Sequence, residues 1–192
     1  MSPIIISIDD LKSAFASYTP AKASQYHSAS AKLADKAFED ELKKLKHGEV
    51  ILLCGGSASG KTEFVSEYLT DFKGIIFDST LSTSEGAKIK IKKIIKQQKK
   101  PIIYFVFPHD IKNAFAAFQG RERKIPKHRF FETHIGSRKT MLWVAENYPE
   151  IEIQLYKSIY SDDSNDLKYE RMGRIKRKEI MDEQKTREIT PD

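Results

Sequence analysis

The chain has 192 residues, enough for one domain with appendages and a core that needs no covalent staples, and too few for two full domains. With 40% hydrophobic and 31% charged residues it reads as a soluble globular protein, and its longest apolar run, residues 102–107, is far short of the ~20 residues a bilayer span requires. The net charge of +6 is modest but unevenly placed; a single cysteine excludes an internal disulfide framework, and the start shows no visible secretory signal, so the expected setting is cytoplasmic.

Residues 2–18 are ambiguous, with Asp9-Asp10 a plausible N-cap for a short helix over 11–17. Residues 22–46 have helical periodicity, Leu33, Ala37, Phe38, Leu42 and Leu45 falling near one face, and Gly48 is the expected stop. From residue 49 strands and helices alternate. Strands are expected at 50–54, 74–78, 102–107 and 151–156; helices are expected at 61–69, 84–98, 110–118 and 127–146. Apolar strands between amphipathic helices predict an α/β fold of three layers, a mostly parallel sheet covered on both faces, whose chemistry gathers at the C-terminal strand ends. The predicted organisation is a helical extension over 1–47, a core over 48–160, and a charged tail over 161–192 read as a surface helix or partly disordered.

After the apolar run that ends at Cys54 comes Gly55-Gly56-Ser57-Ala58-Ser59-Gly60-Lys61-Thr62, the pattern G-x-x-x-x-G-K-[ST] of a phosphate-binding P-loop, with strand before and helix after. Gly55 and Gly60 let the backbone wrap with its N–H groups aimed at phosphate oxygens. Lys61 is expected to reach the β and γ phosphates, and the Thr62 hydroxyl to ligate Mg²⁺. A tight Gly/Ser turn is the competing structural reading, and it leaves the Lys-Thr pair without a purpose. Cys54 reads as a small buried hydrophobe.

Asp78 closes the second strand, where a carboxylate can bind Mg²⁺ or take the proton of an acceptor hydroxyl; the alternative is a cap for the next helix. Thr80 and the nearby serines add hydroxyls. Gly120 and Pro126 bracket a cationic segment containing Arg121 and Arg123, the shape of a lid near 119–127 whose arginines could close on a transferring phosphoryl group; a solvated loop is its rival. Further on, Arg138 is a weaker candidate and His128 reads as surface. The run Lys88, Lys90, Lys92, Lys93, Lys96, Lys99 and Lys100 is either a polyanion-binding patch or the solvated face of a helix whose apolar side is Ile89, Ile91, Ile94 and Ile95.

Together these segments resemble the zeta toxin family of P-loop kinases. Four pieces carry the likeness: residues 55–62; Phe77-Asp78-Ser79-Thr80-Leu81-Ser82, similar to an acid-x-Thr strand end; the strand ending Val106-Phe107-Pro108; and Arg123-Lys124-Ile125-Pro126 followed by Phe130, similar to an Arg-x-x-Pro lid. The resemblance covers residues 25–160. It implies an ATP- and Mg²⁺-dependent kinase acting on a hydroxyl of a small molecule such as UDP-N-acetylglucosamine, with an antitoxin protein as partner. It also implies that Lys61 and Thr62 bind ATP and Mg²⁺, Asp78 and Thr80 face the acceptor, and Arg123 with Arg121 clamps the phosphates. One departure stands out. Longer members carry two acidic strand ends between the P-loop and the strand matching Val106, whereas this chain has only Asp78, which must combine roles unless the acceptor differs. The rival functions are a polynucleotide or RNA kinase and a non-catalytic nucleotide-regulated binding module.

Overall fold

The computed structural model describes residues 2–46, 48–122, 125–160 and 167–174. Among them, in chain order, run β1 (Ile4–Ser7), α1 (His27–Lys44), β2 (Glu49–Cys54), α2 (Lys61–Tyr68), β3 (Ile75–Asp78), α3 (Ser84–Lys96), β4 (Lys100–Pro108), α4 (Ile111–Gln119), α5 (Lys127–Asn147), β5 (Glu152–Tyr160) and β6 (Leu167–Arg174). Short 3₁₀ turns at Asp10–Ala14 and Pro20–Lys22 link β1 to α1.

Successive side chains of a strand point to opposite faces, and β2 uses both. Val50, Leu52 and Cys54 pack with Phe38 and Leu42 of α1, Ile91 and Ile94 of α3 and Met141 and Val144 of α5. Ile51 and Leu53 pack on the other face with Phe64 and Val65 of α2. Every side chain from Val50 to Cys54 is buried, as the unbroken apolar run requires, and the result is an α/β fold with helices on both sides of the sheet. The strand order is β1-β3-β2-β4-β5-β6. Every neighbouring pair is parallel except the last, β5 with β6.

Both flanking segments depart from the expected helices. The β-branched triplet Ile4-Ile5-Ile6 joins the sheet as its edge strand, pairing residue for residue with Ile75, Ile76 and Phe77, and the short helix expected over 11–17 reduces to the 3₁₀ turn. The helix expected from residue 22 starts at His27 and stops at Lys44, before Gly48. In the tail, residues 167–174 form a strand rather than a surface helix: Lys157 pairs with Glu170 at 3.0 Å, and Tyr169 packs its ring 5.2 Å from that of Phe64. The rest of the tail, 161–166 and 175–192, lies outside the described residues.

The lysine run is largely used up inside the fold. Lys90 pairs with Asp35 at 3.1 Å and sits over the Phe77 ring, Lys93 pairs with Glu39, and both acids belong to α1. Of the apolar side expected for this helix, Ile91 and Ile94 are buried with Ala87, while Ile89 and Ile95 are exposed. No helix among the described residues is long and apolar enough to cross a membrane.

Candidate functional site

The chain leaves β2 at Cys54, turns through residues 55–60 and enters α2 at Lys61. Gly55 adopts φ 150°, and a Cβ there would strike the Val106 carbonyl and lie 2.7 Å from Ser59 Oγ, so this position admits only glycine. Gly56 is needed for a different reason: the His134 ring lies against its α-carbon, in space a methyl group would fill. Ala58, at φ 57°, takes a left-handed conformation that is uncommon without glycine, and the loop closes with Gly60 at φ 83°. Such local strain persists where the surroundings over-determine it.

The surroundings here are three clamps. From α5, Thr133 Oγ1 accepts the Ser57 N–H at 3.0 Å, and His134 Nε2 donates to the Ser57 carbonyl at 2.9 Å. Burial holds His134 far below the usual imidazole range, at about 3, so it remains neutral and the carbonyl partner fixes its Nε2–H tautomer. From β5, the Tyr160 hydroxyl donates to the Ala58 carbonyl at 2.6 Å, and from β6 the Tyr169 hydroxyl donates to the Gly60 carbonyl at 2.5 Å. Burial pushes the Tyr160 phenol up to about 12, which keeps it a donor.

These clamps occupy loop carbonyls and the N–H of Ser57. The N–H groups of Ala58, Gly60, Lys61 and Thr62 have no hydrogen-bond partner among the described residues. Lys61 Nζ donates to the carbonyls of Gly55 at 3.0 Å and Gly56 at 3.1 Å, and no described residue forms an ion pair with it. Ser59 Oγ is fully buried without a partner. A cradle of unpaired donors around an unneutralised ammonium, at the N-terminus of α2, suits an anion.

A cavity of about 180 Å³ opens over this loop, lined by Ser57, Ala58, Ser59, Gly60, Lys61, Thr62, Asp78, Thr80 and Arg121. It therefore brings together most of the residues expected from the sequence. Gly55 and Gly56 are not in its lining; they seat the loop from below. Arg123 lies outside the described residues. Asp78 is not a helix cap, since Thr83 caps α3 by accepting the Gly86 N–H. It stands at the end of β3 opposite Leu53 of β2, next to the loop. Burial pushes its carboxyl up to about 6, Lys61 pulls the other way, and the negative charges of Asp9, Asp10 and Glu63 add to the rise. Asp78 thus titrates closer to neutrality than an exposed carboxyl. Thr80 Oγ1 reaches Ser82 Oγ at 3.4 Å. Cys54 is buried and its thiol is pushed up by burial, so it is inert packing. His128 is exposed, and Arg138 lies outside the cavity lining.

The same cavity includes Asp9 and Lys90, which the sequence offered only as a helix cap and as one of the lysine run, and His27, which nothing singled out. The clamps Thr133, His134, Tyr160 and Tyr169 were likewise silent in the sequence, because each acts across 76 or more residues of chain. No protein-family model matches this chain, and no curated protein sequence matches it.

Proposed function

We propose that the chain is an ATP- and Mg²⁺-dependent kinase that transfers the γ-phosphoryl group to a hydroxyl of a small molecule. The observation that carries this reading is the convergence on one cavity of unpaired loop N–H groups, the Lys61 ammonium, the Thr62 hydroxyl, the Asp78 carboxylate and Arg121. Phosphoryl transfer asks a protein for little covalent chemistry: it needs donors and cations around the phosphates and a group that orients the nucleophile. Here the loop N–H groups and Lys61 hold the phosphates, Arg121 faces them from the segment before α5, and Thr80 offers a hydroxyl to the acceptor. The orphaned Ser59 hydroxyl and the hard oxygen pair of Thr62 and Asp78 fit a magnesium nucleotide, since Mg²⁺ takes one or two protein oxygens and keeps several waters. When bound, the metal neutralises phosphate charge.

A polynucleotide acceptor, suggested by the lysine run and the basic lid, loses part of its basis because Lys90 and Lys93 of that run are paired with Asp35 and Glu39 of α1. A binding module without turnover would form little ADP with any acceptor, which separates it from a kinase.

The test is to incubate the protein with Mg·ATP and a low-molecular-mass metabolite extract spiked with UDP-N-acetylglucosamine. Mass spectrometry then seeks an ADP-coupled gain of one phosphate. Lys61→Ala is expected to lower transfer by at least about 100-fold while the fold persists. Failure of the wild-type chain to bind Mg·ATP at millimolar concentration would sink the proposal.

A further inference from the structure

β1 and β3 run parallel with Ser7 opposite Asp78, so the chain leaving β1 emerges at the same sheet edge as the Asp78 carboxylate. Two residues later comes Asp9. It lines the cavity over the loop together with Lys61, Thr62 and Asp78. It also borders, with Thr62 and Asp78, an adjoining open groove of about 450 Å³ between β1 and α2.

Asp9 is held in place. Lys12, whose side chain is only 3% exposed, donates Nζ to Asp9 Oδ1 at 2.7 Å. A buried ammonium requires a carboxylate beside it, so this pair anchors the segment after β1. Behind it, the Asp10 N–H donates to Ser7 Oγ at 3.3 Å and secures the turn. The Asp9 side chain nevertheless remains 46% exposed and lines the cavity.

Two carboxylates therefore stand at the ends of neighbouring parallel strands over one cavity, in different company. Asp78 lies next to the loop, with Lys61 its strongest charged neighbour. Asp9 lies one strand further out, next to Lys12 and His27. Phosphoryl transfer uses a group that orients or deprotonates the nucleophile besides those that hold the phosphates and metal, and the two carboxylates are placed to divide those roles.

We propose that Asp9, supplied by the N-terminal edge strand, is the catalytic residue that accepts the proton of the acceptor hydroxyl, leaving Asp78 to the Thr62 end of the site; this rests on the kinase reading above. In the step, the acceptor oxygen forms a bond to the γ-phosphorus. The bond from that phosphorus to the β–γ bridging oxygen breaks, its electron pair departing with ADP. The hydroxyl proton passes to the Asp9 carboxylate and from its exposed side to water.

The experiment uses the full chain with Mg·ATP and the same spiked metabolite extract, reading phosphorylated product by mass spectrometry and nucleotide affinity by titration with a fluorescent ATP analogue. Asp9→Asn is expected to lose at least about 100-fold in product formation with affinity changed by no more than about threefold. Asp10→Asn removes one charge from the same turn and is expected to keep product formation within about threefold of wild type. If Asp9→Asn fails to fold because Lys12 is left unpaired, Asp9→Asn/Lys12→Met removes both members of the pair and carries the same expectation. Product formation by the Asp9 variant within about tenfold of wild type, or an equal loss in the Asp10 variant, overturns the assignment and leaves the kinase reading intact. Wild-type protein that binds Mg·ATP yet forms no product overturns the kinase reading and the role of Asp9 together.

Discussion

Burial decides what Asp78 can do. Its carboxyl rises from 3.8 to about 6 on folding, so between those pH values the folded protein holds a proton that the unfolded chain has released. Stability therefore falls as pH rises through that window and stays lower above it. Asp78→Asn, neutral at every pH, should be more stable than wild type by up to about 3 kcal/mol above pH ~6.5 and equal to it below pH ~4, as measured by urea unfolding across pH. A variant that is less stable at high pH would mean that attraction to Lys61 outweighs burial. At this scale the sequence was legible where a residue completes a spaced motif, as Lys61 does, or closes an apolar run, as Asp78 does. It was silent on Asp9, whose neighbours in the chain suit a helix cap equally well.

The elements around the loop act as braces, and their contributions differ in a way that can be measured. The Gly60 carbonyl accepts both the Tyr169 hydroxyl and the Phe64 N–H, so Tyr169→Phe leaves it satisfied and should cost about 0.5–1.5 kcal/mol. The Ala58 carbonyl has Tyr160 as its only partner among the described residues, and Ala58 is 2% exposed. Tyr160→Phe should therefore cost more, about 1–3 kcal/mol, with chemical denaturation of the two variants as the comparison. An equal cost would mean that water replaces the lost donor. α5 braces from the other side, holding Ser57 through Thr133 and His134. The helix itself was evident from its periodicity. Its grip on the loop was not, since Thr133 and His134 look like ordinary residues of an amphipathic face.

At the scale of the whole molecule, part of the positive charge is spent on ion pairs inside the fold. The net charge of +6 includes lysines of α3 already paired with α1. Binding to a single-stranded oligonucleotide should accordingly show a salt slope of about 1 or less, where a protein neutralising several phosphates would show several times that. Fluorescence anisotropy from low to high salt measures it, and a steep slope would revive the polynucleotide reading. What the sequence determined by itself was local: hydrophobic period and turn chemistry fixed the four central strands, the helices between them, and the glycine loop with its Lys-Thr pair, because each depends on neighbours a few residues apart. The tertiary structure alone decided which strands lie side by side. Ile4-Ile5-Ile6 and residues 167–174 become strands only because sheet edges stand ready to pair them, β1 against β3 and β6 against β5. That pairing sets Asp9 beside Asp78 and Tyr169 on the loop, contacts between distant parts of the chain that no local pattern encodes.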